Sequence, residues 1–185
     1  MKKILSTLIL SLVITSNTLA YEESNYQIVK INKVYEIRKY SDRLVVETVT
    51  SNQNSGFRKL FNYISGKNEN NEEIKMTVPV TQIKKGDNMT MQFYLPSKFN
   101  KKNVPSPSNS DVKILNIKGG YYAVIRYSGF ASDKNFIKHK NILENQLKKD
   151  DISILSPPIK ATYNRPFTLP NLRRNEAMFE INIKT

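Results

Sequence analysis

Residues 34–40 alternate in the two-residue period of a β-strand, with Tyr35, Ile37 and Lys39 on one face and Glu36, Arg38 and Tyr40 on the other. A second strand-like run, residues 44–49, follows Ser41-Asp42-Arg43, and so short a connection predicts a hairpin. The period then lengthens. Phe57, Leu60, Phe61 and Ile64 recur at i, i+3, i+4 and i+7, which predicts a helix capped from the polar residues 50–55 and stopped at Gly66. Residues 68–73 are a polar turn leading to Lys75-Met76-Thr77-Val78-Pro79-Val80-Thr81, a strand whose proline confines it to a sheet edge or bulge. Met89, Met91, Phe93 and Leu95 then alternate as one face of a half-buried strand. Residues 21–33, before the first strand, read as a polar lead-in.

Residues 96–111, with prolines at 96, 105 and 107, read as a linker with little to bury. After it the order recurs. Strands are predicted at 112–117 and 121–127, joined at Gly119-Gly120, then a helix over 132–149 with Phe136, Leu143 and Leu147 on one side. Short strands at 159–163 and 177–183 complete the series. Residues 34–95 and 112–183 thus make two β-β-α-β-β units, neither able to cover its own sheet. The expected fold is α+β: one domain over 21–185, a duplicated unit forming a distorted β-barrel flanked by two helices, with a cleft where the halves meet.

Composition adds a destination. Met1-Lys2-Lys3, the apolar run 4–14 and the small residues at Thr18 and Ala20 predict a signal peptide over 1–20 cleaved after Ala20, so the protein is expected in a periplasm or outside the cell. The formal net charge of +13 falls to +11 once Lys2 and Lys3 leave, favouring anionic partners such as a ligand carboxylate or an envelope surface. Export removes nucleic acid from the expected partners. The chain has no cysteine, which excludes disulfides, thiolate metal sites and cysteine nucleophiles.

Few residues offer catalysis. The single histidine, His139, falls about 40° from Leu143 on a helical wheel, at the border of the apolar face, and is a candidate ligand. The pairs Glu72-Glu73 and Asp150-Asp151 sit in polar turns, and Gly119-Gly120 does not match a phosphate loop. No enzymatic centre is expected. Four methionines after the leader, ten tyrosines and eight phenylalanines offer instead the lining for a large flat ligand, and Arg173-Arg174 offers forked donors for its carboxylates.

The motifs Tyr35-Glu36-Ile37-Arg38-Lys39-Tyr40, Tyr63-Ile64-Ser65-Gly66-Lys67-Asn68-Glu69, Lys75-Met76-Thr77-Val78-Pro79-Val80-Thr81 and Arg173-Arg174-Asn175-Glu176 run in order along the chain. With Tyr94-Leu95-Pro96, Tyr127-Ser128-Gly129-Phe130 and Tyr163-Asn164, they resemble the SOUL haem-binding family. The resemblance implies a non-catalytic protein with haem or a related porphyrin in a shallow apolar cleft beside the first helix. It implies macrocycle contacts at Phe57, Phe61 and Ile83, and propionate contacts at Arg173 and Arg174. Where some members carry a histidine in Y-E-I-R-x-Y this chain has Lys39, so Lys39 and His139 are the candidate axial ligands. Two other readings stay open: a binder of other lipophilic molecules of the gyrase-inhibitor-like type, and an envelope-associated interaction module.

Overall fold

The computed structural model describes residues 21–183, and the expected leader lies outside them. In chain order come β1 (Glu22–Glu23), β2 (Tyr26–Ile31), β3 (Glu36–Tyr40), β4 (Arg43–Thr50), α1 (Gln53–Ile64), β5 (Thr77–Val78), β6 (Val80–Lys85) and β7 (Asn88–Tyr94). There follow β8 (Val112–Ile117), β9 (Gly120–Tyr127), α2 (Asp133–Lys149), β10 (Ser153–Ile154), β11 (Ile159–Thr162) and β12 (Asn175–Asn182). Ten strands form one sheet in the order β2-β3-β9-β12-β11-β6-β7-β4-β8, with β10 on β12, while β1 and β5 pair in parallel apart from it. The fold is α+β, a curled antiparallel sheet with two helices.

The two helices start where the sequence marks them. Asn52 caps α1 by accepting from the Ser55 N–H, and Ser132 caps α2 by accepting from the Asn135 N–H. Leu60, Tyr63 and Ile64 of α1 bury against Val46, Met91 and Phe93, and Leu143 and Leu147 of α2 against Ala123, Ala177 and Phe179. Each such side chain contributes about 1.5–3 kcal/mol. Gly56 lets α1 lie close to the sheet, since a Cβ there would meet the Thr50 Cγ2 at 2.7 Å.

Four expectations are corrected. The run 34–49 is not a hairpin: β3 pairs with β2 and β9, and β4 pairs with β7 and β8. Its two-residue connection joins the second strand from one sheet edge to the second from the other, so the sheet must curl until its edges approach. The β3–β4 and β8–β9 connections cross there. Asp42 holds them together, its carboxylate accepting from the Gly119 N–H at 2.8 Å, from Asn116 Nδ2 at 2.8 Å and from Lys118 Nζ at 3.3 Å. A Cβ on Gly119 would lie 2.6 Å from the Tyr40 carbonyl oxygen, so the crossing needs glycine. These donors, the Gly119 N–H first, bring the Asp42 pKa down to about 2. An NMR pH titration is expected to show Asp42 with a midpoint near 2, and Asn116→Ala to raise it; a midpoint near the ordinary ~3.9 means the crossing is not held this way.

The lead-in is the second correction. It contains β1 and β2, and β2 is an edge strand whose Ile28, Val29 and Ile31 stay exposed, so burial left no pattern in it. Third, the stretch around Pro79 is not one edge strand. It divides at the cis Val78–Pro79 peptide into β5, on β1, and β6, in the middle of the large sheet. Fourth, the 96–111 segment is not a loose linker. Phe99 and Val104 pack beneath α1, and the Pro105 carbonyl accepts from the Tyr63 hydroxyl at 2.8 Å.

Candidate ligand-binding site

The sheet has two faces, and only one has room outside it. On the inner face, away from the helices, Tyr40, Tyr122, Val124, Ala161, Tyr163 and Met178 form a buried cluster. Glu176 is completely buried among them. Arg38 grips its carboxylate in a fork at 2.8 and 3.0 Å, Tyr163 donates to it at 2.7 Å and Arg174 at 2.9 Å. Burial acts to raise the Glu176 pKa, but the hydrogen bonds and charges of Arg38 and Arg174 outweigh it and hold the carboxyl below its ordinary value. Nearby the Arg43 guanidinium lies over Tyr40 at 4.1 Å, Tyr122 at 5.1 Å and Tyr94 at 5.2 Å. The crevice left between Arg43, Pro79 and Tyr163 measures about 10 Å³, room for one water. A porphyrin does not fit inside.

On the helix face the flanks of α1 are open. Phe57 and Phe61 stack at 6.0 Å, near parallel at 13°, yet are 41% and 48% exposed. Phe57 also meets Phe93 edge-on at 5.2 Å, and Val80 is the cross-strand neighbour of Phe93 on the same face. The pair therefore leans over β7 toward β6 and the middle of the sheet. The opposite flank leans toward β8, where Lys59 binds Asp111 at 2.8 Å and a groove of about 250 Å³ runs past Asn62 and Lys67.

The expected site residues do not all gather on the aromatic flank. Ile83 pairs with Ile159 and Thr90 and by alternation points to the inner face, opposite Phe57 and Phe61. Arg174 is bound in a fork to Glu23 at 2.7 and 2.8 Å and stacks on Tyr163 at 3.7 Å. Arg173 donates to the Thr168 carbonyl at 2.7 Å and to that of Pro166, bracing its own loop. Lys39 is exposed, 5.6 Å from the Tyr121 ring, at the start of β9. His139 stacks flat on Tyr127 at the other end of that strand, at 4.0 Å, and its Nδ1 lies 2.9 Å from the Asn135 carbonyl. Six residues of strand put these two candidate iron ligands about 20 Å apart, His139 on α2 itself and Lys39 beside the start of β9, neither of them on α1.

Sequence reasoning passed over Arg58. It follows Phe57 and stands about 60° from Phe61 around the helix, exposed, with no ion pair to a described residue. Its place between two phenylalanines spaced i, i+4 was the available signal. The flank thus combines a flat apolar surface with an uncommitted guanidinium, which suits a planar ligand bearing carboxylates.

The family model described as SOUL heme-binding protein matches residues 21–180. Heme-binding protein 2 of Mus musculus and of Homo sapiens are each 32% identical over 157 residues, 77% of this chain and 75% of theirs. Among solved structures, the C-terminal domain of EcmrR superposes with a TM-score of 0.61 at 10% identity, covering 85% of this chain and 98% of that one. A hydrolase from Listeria innocua superposes at 0.55 and 8% identity, covering 88% and 93%. Identities so low speak to the fold alone. Matched over nearly all its described length, the chain belongs to the SOUL heme-binding protein family.

Proposed function

We propose that the chain is an exported, non-catalytic binding protein for haem or a related tetrapyrrole, which lies against the Phe57–Phe61 flank of α1 with its propionates toward Arg58. The observation that carries this reading is the stacked pair itself: two aromatic rings held near parallel and half exposed, beside the exposed Arg58 guanidinium. Heme-binding relatives support the ligand class. The ring is held by contact and charge; neither Lys39 nor His139 shares the flank to reach its iron. The second reading, a binder of other lipophilic molecules, would use the same exposed flank, since the inner crevice holds only about 10 Å³.

Titration of the protein spanning 21–185 with hemin is expected to give a saturable Soret shift, and its absence overturns the reading. Arg58→Glu is expected to weaken hemin about tenfold, the size of one charge-assisted contact reversed, and Arg173→Ala to leave it unchanged. The opposite ranking returns the propionates to the loop before β12.

A further inference from the structure

The loop between β11 and β12 presents apolar side chains to water. Phe167 is 96% exposed, Leu169 62% and Leu172 67%, and Phe130 of the neighbouring β9–α2 loop is 64% exposed. The two loops are joined: the Gly129 N–H donates to the Pro170 carbonyl at 2.7 Å, Asn175 Nδ2 donates to the Gly129 carbonyl at 3.0 Å, and the Arg173 guanidinium lies 5.6 Å from the Phe130 ring. The protruding loop is also braced. Arg173 donates to its Thr168 and Pro166 carbonyls, the Arg174 N–H to Asn164 Oδ1, and a 3-10 turn at Pro170–Leu172 closes the end. These apolar tips are therefore held outward, where no described residue covers them, against the tendency of such side chains to leave water.

We propose that this pair of loops is a docking surface for an anionic lipid bilayer, into whose headgroup boundary Phe130, Phe167, Leu169 and Leu172 insert. Charge selects this partner. The chain carries +13 formally, +11 without the expected leader, and exposed Arg126, at the end of β9, and Lys134, in the first turn of α2, stand four residues either side of Phe130 in the chain. Shape agrees with charge: exposed apolar tips enter a fluid bilayer without needing a preformed pocket to receive them. The inference is independent of ligand binding at α1, since it uses none of the same residues.

The chain has no tryptophan, so Phe167→Trp supplies a single reporter. With vesicles of mixed phosphatidylcholine and phosphatidylglycerol, its emission is expected to shift to the blue and to be quenched by brominated acyl chains. With phosphatidylcholine alone both effects weaken. Unshifted, unquenched emission overturns the proposal. In co-sedimentation the triple variant Phe167→Ser, Leu169→Ser, Leu172→Ser is expected to bind the anionic vesicles about tenfold less than the parent chain. Equal binding by the triple variant means that charge alone acts and overturns it. So does a parent chain that elutes as a dimer, ignores vesicles and becomes a monomer in the variant.

Discussion

Glu176→Gln is expected to lower the unfolding free energy by about 3–5 kcal/mol at neutral pH, the largest effect of any single change considered. The reason is not that the ion pair is strongly favourable in itself. Arg38 is 1% exposed and Glu176 not at all, so removing the carboxylate strands a buried guanidinium. Arg174 keeps Glu23, but Arg38 keeps only the partly exposed Glu36 and the neutral Tyr40 hydroxyl. A paired change, Arg38→Met with Glu176→Leu, removes both charges and is expected to recover much of the loss. Chemical denaturation of the three variants decides the matter: a single variant within about 1 kcal/mol of the parent shows that the network does not bear on stability.

The same carboxylate gives a pH dependence of known sign. Its folded pKa is depressed, so its contribution is complete above the unfolded glutamate value of ~4.3 and is lost as pH falls through the lower folded value. The gap between parent and Glu176→Gln is therefore expected to be constant from neutral pH down to about 5 and to close only in stronger acid.

Replacing both Phe57 and Phe61 by serine is expected to weaken hemin binding about 10–100-fold. Each ring has roughly half its surface left to bury against a ligand, so the pair contributes about 1.5–3 kcal/mol to the complex. Fluorescence-free absorbance titration, run well below the thermal midpoints of both proteins, separates this loss from any change in stability. Unchanged hemin affinity removes the flank from the site. A matching change of Leu60, fully buried in the same helix, serves as the contrast, since it is expected to act on stability first.

Both helices, the cap region of the first and most strands could be read from the chain because their causes are local. Asn52 and Ser132 precede periodic apolar runs, and the alternation from Met89 to Leu95 marks a strand, although Gln92 and Tyr94 on its other face are buried too, so it is not the half-buried strand expected. The failures have non-local causes. The partner of β3 is β9, and no property of Ser41-Asp42-Arg43 announces that Gly119 will meet Asp42. Exposed edge residues such as Ile31 leave no burial pattern. At the candidate site, Phe57 and Phe61 were legible as an i, i+4 apolar pair, but not that Leu60 and Tyr63 would take the buried side and leave them open. Arg173 and Arg174 looked available because a sequence shows charges without their partners; Glu23 lies 151 residues from Arg174.

The crossing of the β3–β4 and β8–β9 connections also sets an order of events for the folding chain. Tyr40 pairs with Gly120 and Glu36 with Val124, so β3 must remain without its inner partner until 80 to 88 further residues have been made. β4 in turn waits for β8. Neither half of the chain can complete its own sheet, and the molecule closes as a clasp does, both sides at once, at the cost of a slow search over long loops.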